Sequence, residues 1–192
     1  MSALEIVAVI VSVLGVWLTT QRKPLCWPVG LASVILYAKV FFDAKLYSDL
    51  LLQGFFAMMI VYGWVGWRRN AGATDGAVAV GGVSPHDWVI GVAAGGLGTV
   101  LLGGVMAYFT DAAVPWLDAG LTSFSLMAQY WTARRWIENW WVWIAVDVIY
   151  TGLFLYKELY LTAGLYAFFI GLAVRGLWSW NAARSSPVLS GS

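Results

Sequence analysis

Long runs of apolar residues, each close to the length of a membrane-spanning helix, recur along the chain. A helix needs about 20 predominantly apolar residues to cross the hydrocarbon core of a bilayer. The runs predict helices at 3–20, 25–43, 46–67, 88–109, 117–134, 139–156 and 160–180. This pattern predicts an all-α integral membrane protein with seven transmembrane helices.

Basic residues concentrate in every second loop between these helices. They are Arg22 and Lys23, then Arg68 and Arg69, then Arg134 and Arg135, and finally Arg184 in the tail. Because Lys and Arg are retained on the cytoplasmic side, the alternation predicts an outside N-terminus and a cytoplasmic C-terminus. No basic residue precedes the first apolar run, so we interpret it as a span rather than a cleavable signal.

The chain contains an internal repeat with an offset of 113 residues. Residues 27–67 align without a gap on residues 140–180, and 13 of the 41 positions are identical. The identical aromatic pairs include Trp27/Trp140, Tyr37/Tyr150, Phe41/Phe154 and Trp67/Trp180. The same offset places the fifth span on the first, so we interpret the repeat unit as three helices. The fourth span joins two units of the same orientation, as in parallel-repeat transporters, which bind substrates at the repeat interface.

The predicted architecture is therefore 3+1+3: two parallel three-helix bundles joined by a linker helix. The predicted units are a first repeat at 1–69, a mobile cytoplasmic linker at 70–87, the linker helix at 88–110, a second repeat at 111–184 and a cytoplasmic tail at 185–192. Trp67 and Trp180 lie near span ends, where tryptophan commonly anchors a helix at the membrane interface. We expect them to be such anchors.

Composition and charge exclude several classes of protein. Hydrophobic residues make up 61% of the 192 residues and charged residues only 11%, against about a quarter charged in a soluble domain. A net charge of +1 argues against a nucleic-acid partner, and the single Cys26 cannot form an internal disulfide or a cysteine-based zinc site. No nucleophile–base pair, metal cluster or cofactor motif stands out, which predicts a protein that is not an enzyme.

The fourth span contains a glycine-rich run, "GGLGTVLLGG", that could be mistaken for a phosphate loop. It lacks the Lys-Ser/Thr ending of a Walker motif and lies inside an apolar span. Gly91, Gly95, Thr99 and Gly103 recur at every fourth position and form a small-residue stripe. Such a stripe lets helices approach closely, so we expect this run to pack against a neighbour.

The sixth span carries one carboxylate within an aromatic run, "WWVWIAVDVIY". Trp140, Trp143, Asp147 and Tyr150 share one helical face. An ionised Asp at a span centre costs about 2.5–3.5 kcal/mol or more, so it normally faces a cavity or a partner. Acid and aromatic rings together suit a flat cationic ring, which gains cation–π attraction from the aromatics. The alternative is a protonated or hydrogen-bonded Asp that holds helices together.

The repeat makes the expected cavity asymmetric, because Val34 occupies the position equivalent to Asp147. Gln53 and Gln129 are amides within spans, and either can line the cavity or form an interhelical hydrogen bond. The candidate substrate-binding residues are Trp27, Tyr37, Gln53, Gln129, Trp140, Trp143, Asp147, Tyr150 and Tyr166. From the residues alone, a proton-coupled exporter and a structural membrane protein remain alternatives to a transporter that takes up a flat cationic molecule.

The chain resembles the PnuC family of vitamin transporters. The resemblance rests on "WPVG…Y…F…LYSDLLLQGFF…YGW..W" and "W..WIAVDVIY…LY..K.LYLTAGLY..F…G…W", which cover about 27–67 and 136–181. It implies a fold like that of the SWEET sugar transporters and uptake of nicotinamide riboside, or of thiamine in close relatives, by facilitated diffusion. In the nicotinamide-riboside members an Asn follows the sixth-span Trp at the position held here by Asp147, which leaves the vitamin open.

The resemblance also implies partners. These are the vitamin itself, the lipid bilayer and a cytoplasmic vitamin kinase that traps the transported molecule by phosphorylation. A homo-oligomer is left open.

Overall fold

The computed structural model describes residues 3–43, 47–70, 78–110 and 114–185, which form seven α-helices. The helices are α1 (Ala3–Thr20), α2 (Cys26–Asp43), α3 (Tyr47–Asn70), α4 (Pro85–Phe109), α5 (Pro115–Ala133), α6 (Asn139–Tyr156) and α7 (Tyr160–Ser185). The predicted all-helical class and the number of helices are confirmed. Four helices, α1, α2, α4 and α7, are each long and apolar enough to cross a membrane.

Local capping signals explain why α4 begins three residues before the predicted start at 88. Ser84 is the N-cap, and its hydroxyl accepts a hydrogen bond from the Asp87 N–H at 3.1 Å. Pro85 takes the first helical position, where a missing N–H costs nothing. The apolar pattern starts only at Trp88, so it could not show these capping residues.

Six helices form a closed ring, and the remaining helix, α4, lies outside it. In the first repeat α2 packs against both α1 and α3, and in the second α6 packs against both α5 and α7. Contacts of α1 with α7 and of α3 with α5 join the two repeats, while α4 packs on the outer side of α5. This arrangement agrees with the predicted 3+1+3 order.

The small-residue stripe of α4 lies against aromatic rings of α5. A Cβ atom added to Gly91 would lie 2.7 Å from the Trp131 ring, and one added to Gly103 would lie 2.5 Å from the Trp116 ring. Because these distances are shorter than van der Waals contact, only glycine allows α4 to approach this closely. The expected packing role of the stripe is confirmed.

Four buried tryptophans, Trp27, Trp67, Trp140 and Trp180, fill the centre of one end of the ring; we call them the tryptophan cluster. Trp27 and Trp67 meet edge to face with centroids 5.3 Å apart, as Trp140 and Trp180 do at 5.4 Å. Trp67 and Trp180 touch across the repeats at 6.0 Å. The helix termini at this end carry Arg22, Arg69, Arg135 and Arg184, so we call it the basic end.

The expectation that Trp67 and Trp180 anchor the chain at the membrane interface is wrong. Both are 0% exposed. The Trp67 indole N–H donates to the Ala133 carbonyl at 3.1 Å, and the Trp180 indole N–H donates to the Thr19 carbonyl at 3.1 Å. Each bond crosses to the other repeat, because the ends of α3 and α7 turn toward the ring centre rather than toward lipid.

The predicted linker 70–87 lies across the basic end where it is described. Residues 71–77 lie outside the described residues, and α4 takes up the last three positions. Val78 is fully buried against the tryptophan cluster, which differs from a freely mobile linker. Backbone hydrogen bonds join this segment to both repeats: Val78 N–H to Arg22 O at 3.3 Å, Gly81 N–H to Arg135 O at 2.9 Å and Ile137 N–H to Gly81 O at 3.1 Å.

Candidate functional site

A cavity of about 290 Å³ lies inside the helix ring, between the tryptophan cluster and the opposite end. Residues of six helices line it: Ser12, Gly15, Val16, Thr19, Cys26, Trp27, Gly30, Ser33, Val34, Phe56, Ile60, Gln129, Thr132, Trp140, Trp143, Asp147, Tyr166, Phe169 and Ala173. No residue of α4 is among them. The six ring helices therefore enclose the cavity, and α4 supports the ring from outside.

The wall of this cavity follows the internal repeat. Fourteen of the 19 lining residues form seven pairs separated by 113 positions. The pairs are Val16/Gln129, Thr19/Thr132, Trp27/Trp140, Gly30/Trp143, Val34/Asp147, Phe56/Phe169 and Ile60/Ala173. The cavity thus lies at the interface of the two repeats, with the same positions of each repeat facing it.

Six of the nine candidate residues line the cavity, and three do not. The six are Trp27, Gln129, Trp140, Trp143, Asp147 and Tyr166. Tyr37, Gln53 and Tyr150 are absent from its wall. Gln53 and Tyr166 occupy equivalent repeat positions, so at this position only the second repeat contributes to the wall.

The two tyrosines that miss the wall lie beyond it, in repeat-related aromatic stacks. Tyr37 stacks on Phe41 with centroids 6.0 Å apart, and Tyr150 stacks on Phe154 at 5.8 Å. Tyr150 also approaches the lining residue Tyr166, at 4.8 Å. Both stacks therefore lie on the side of the cavity away from the basic end, one on each repeat.

Asp147 places the single carboxylate of the cavity wall among aromatic rings. Its side chain is 6% exposed, and it lines the cavity together with Trp143, Tyr166 and Phe169. Within the described part of the chain, no Lys or Arg nitrogen lies within 4.0 Å of it, since the ion pair found there joins Lys39 to Asp43. A buried carboxylate without a cationic partner is costly unless water or a bound cation compensates its charge.

A short series of hydrogen bonds fixes the orientation of the Trp143 ring. Its indole N–H donates to the Thr132 hydroxyl at 3.3 Å. That hydroxyl lies 3.1 Å from Asn139 Oδ1, and the Asn139 amide donates to the Trp136 carbonyl at 2.6 Å. Because the indole nitrogen is bound, the ring has a fixed orientation beside Asp147, as a stacking platform requires.

Sequence reasoning missed the hydroxyl-bearing residues of the wall: Ser12, Thr19, Ser33 and Thr132. The threonines are a repeat pair, so the internal alignment contained a signal for them. Ser33 carried no such signal, because Val146 replaces it in the second repeat. Ser12 does have a repeat partner in Ser125, but that partner does not line the cavity, so the alignment alone would have misplaced it. Hydroxyl side chains are common in membrane helices, and only the fold shows which of them face a cavity.

The arrangement suits non-covalent binding of a small polar and aromatic molecule. Aromatic rings can stack on a flat ring, the carboxylate can compensate a positive charge, and hydroxyl and amide groups can hydrogen-bond polar substituents. Among the described residues, no group of three or more His, Cys, Asp or Glu side chains could hold a metal ion.

Comparisons with known proteins match nearly the whole chain. The family model described as nicotinamide mononucleotide transporter matches residues 2–182. The nicotinamide riboside transporter PnuC of Escherichia coli is 27% identical in an alignment of 209 positions that covers 96% of this chain and 87% of that protein. The riboflavin/roseoflavin transporter RibM of Streptomyces davaonensis is 26% identical in an alignment of 193 positions that covers 98% of this chain and 90% of that protein. A crystal structure of the vitamin B3 transporter PnuC has a TM-score of 0.77 and 25% identity, and the match covers 94% of this chain and 81% of that one.

Proposed function

The chain belongs to the nicotinamide mononucleotide transporter family, and from this premise we propose that it takes up nicotinamide riboside by facilitated diffusion. It is a multi-pass membrane transporter and not an enzyme, as the sequence predicted. The observation that carries the substrate proposal is Asp147, a buried carboxylate in an aromatic cavity that forms no ion pair with any Lys or Arg of the described residues. Nicotinamide riboside contains a flat cationic ring, which such a cavity would stack and neutralise.

The substrate would lie between the repeats, on the faces of Trp143 and Trp140. Asp147 would orient its charged ring, and Gln129 would hydrogen-bond a polar substituent. Tyr37, Gln53 and Tyr150 lie outside the wall in this conformation, so they would reach the substrate only through a movement of the bundles. This assignment is supported by the seven repeat-related pairs on the wall, since a site on the repeat interface can open alternately to either side.

The tryptophan cluster would act as the closed gate of this conformation. Its two cross-repeat hydrogen bonds, from Trp67 and Trp180, tie each bundle to the other at the basic end. Rocking of the bundles would break these bonds and open the cavity toward that side. Alternating access would then need no hydrolysis of a nucleotide.

We propose that the protein lies in a bacterial inner membrane with its basic end in the cytoplasm. The arginines at the termini of α1, α3, α5 and α7 support this orientation. A C-terminal green fluorescent protein fusion should therefore fluoresce, and a C-terminal alkaline phosphatase fusion should be inactive. Active phosphatase with a dark fluorescent fusion would reverse the orientation.

A cytoplasmic kinase that phosphorylates the vitamin would make uptake directional, because the negative phosphate of the product does not suit a cavity whose charged group is a carboxylate. A homo-oligomer is compatible with the large apolar outer surface of the ring, and the transport route proposed here lies within one chain.

Thiamine is the second candidate, because it also carries a cationic ring and Asp147 selects for charge rather than for one vitamin. Riboflavin, which the name of the relative RibM gives as its substrate, is neutral. It therefore gains no charge attraction from the Asp147 carboxylate. Purified protein should bind nicotinamide riboside most tightly and a neutral nucleoside such as uridine at least about tenfold more weakly, since two opposite charges about 4–7 Å apart attract by about 2–4 kcal/mol at an effective dielectric constant near 20.

Isothermal titration with nicotinamide riboside, thiamine, riboflavin and uridine measures this ranking directly. Equal affinity for uridine and nicotinamide riboside would contradict the proposed role of charge. Uptake into liposomes with and without a pH gradient separates facilitated diffusion from the proton-coupled alternative, because only a coupled transporter follows the gradient.

A further inference from the structure

The first-repeat wall of the cavity carries two serine hydroxyl groups that touch each other. Ser12 on α1 and Ser33 on α2 both line the cavity, and their Oγ atoms are 2.5 Å apart. Ser33 is only 7% exposed, so this contact lies inside the protein. The equivalent positions of the second repeat, Ser125 and Val146, do not line the cavity. The pair is therefore a local departure from the repeat symmetry that governs most of the wall.

The hydrogen-bonding capacity of this pair toward the cavity consists of acceptor sites. A serine hydroxyl has one proton. The Ser12 hydroxyl lies 2.9 Å from the Ala8 carbonyl oxygen and donates to it in this geometry. With the Ser12 proton used there, Ser33 is the donor in the contact between the two serines, where the positions of the oxygens allow either hydroxyl to donate. The lone pairs that remain on Ser33 Oγ then face the cavity without a proton of their own. A molecule in the cavity can satisfy them only with a donor, such as a hydroxyl group.

We propose that Ser12 and Ser33 form a subsite that binds sugar hydroxyl groups of the transported molecule, an inference that rests on the proposed function. The carboxylate of Asp147 and the pair of serines lie on cavity walls that belong to opposite repeats. Val34 stands where the second repeat has Asp147, and Val146 stands where the first has Ser33. A molecule with a cationic ring at one end and hydroxyl groups at the other fits these walls in one orientation only, with its ring at Asp147 and its sugar at Ser33.

Two ligands that share the cationic ring test this subsite. Nicotinamide riboside carries ribose on the ring nitrogen, and 1-methylnicotinamide carries a methyl group instead. In isothermal titration the S33A variant should bind nicotinamide riboside roughly threefold to tenfold more weakly than the unsubstituted protein, the effect of one neutral hydrogen bond. Its affinity for 1-methylnicotinamide should not change, because that ligand offers no hydroxyl to the subsite.

The S125A variant is the matched control, since it removes a buried hydroxyl at the repeat-equivalent position of Ser12 and outside the cavity wall. It should bind both ligands as the unsubstituted protein does. Unchanged affinity of S33A for nicotinamide riboside would overturn the subsite, as would an equal loss of affinity for both ligands. If the unsubstituted protein bound neither cation, the proposed function itself would fail, and this outcome is distinguishable from failure of the subsite.

Discussion

Replacing Asp147 by Asn should weaken binding of nicotinamide riboside by roughly 10- to 100-fold while the fold remains intact. Two unit charges about 4–7 Å apart attract by about 2–4 kcal/mol at an effective dielectric constant near 20, and water in the cavity reduces this value. The amide has nearly the shape of the carboxylate but no charge. Because the substitution also removes a buried charge that no Lys or Arg of the described residues pairs with, the thermal stability of the protein in detergent should not fall.

Asp118→Asn provides the matched control for this substitution. Asp118 lies in the first turn of α5 and does not line the cavity, so the same loss of charge there should leave the affinity unchanged. Isothermal titration and a thermal-shift assay on both variants separate binding from stability. Equal affinities of the Asp147→Asn variant and the unsubstituted protein would remove the carboxylate from the binding site.

Replacing Gly63 or Gly176 by Ala should destabilise the protein by about 1–3 kcal/mol each, the usual cost of overpacking a filled core. A Cβ atom at Gly63 would overlap the Trp27 ring, and one at Gly176 would lie 2.5 Å from the Trp140 ring. These rings belong to the tryptophan cluster, so they have little room to move away. The melting temperature in detergent and the rate of uptake into liposomes should both decrease, because the cluster can no longer close as observed.

The same helices supply matched controls for the glycine substitutions. A Cβ atom at Gly54 in α3 or at Gly171 in α7 would have no neighbour within 4 Å. Alanine at these positions should be neutral or slightly stabilising, because Ala has the higher helix propensity. If Gly54→Ala lowered the melting temperature as much as Gly63→Ala, the loss would reflect glycine in these helices generally and not the contact with Trp27.

Much of the fold could be predicted from the sequence because it depends on local patterns. Apolar runs of spanning length define the helices, and α1 and α6 have the predicted bounds. The repeat offset of 113 residues predicted the 3+1+3 order, and it also relates Arg22 to Arg135, the left-handed residues of two equivalent loops with φ of 60° and 64°. Both features are one-dimensional, so they can be read without knowing where any helix lies relative to another.

The candidate site was predicted less completely. The spacing of residues shows which side of a helix they share, but not how far along the helix the cavity extends. Trp140, Trp143 and Asp147 lie on the predicted face and line the cavity. Tyr150 lies on the same face, yet it is far enough along α6 to pass the cavity and stack on Phe154. Spacing along one helix could not reveal where the cavity ends, since its limits are determined by side chains of the neighbouring helices.

The sequence by itself determined the class of protein, the seven helices, the duplicated order and the presence of one carboxylate among aromatics. Only the tertiary structure decided that Trp67 and Trp180 face the centre of the ring, that Val78 of the linker packs on the tryptophan cluster and that two serines meet at the cavity wall. The physical reason is that lipid and a protein core are both apolar. Composition alone therefore cannot tell a residue that faces lipid from one that faces another helix, and helix packing makes that choice.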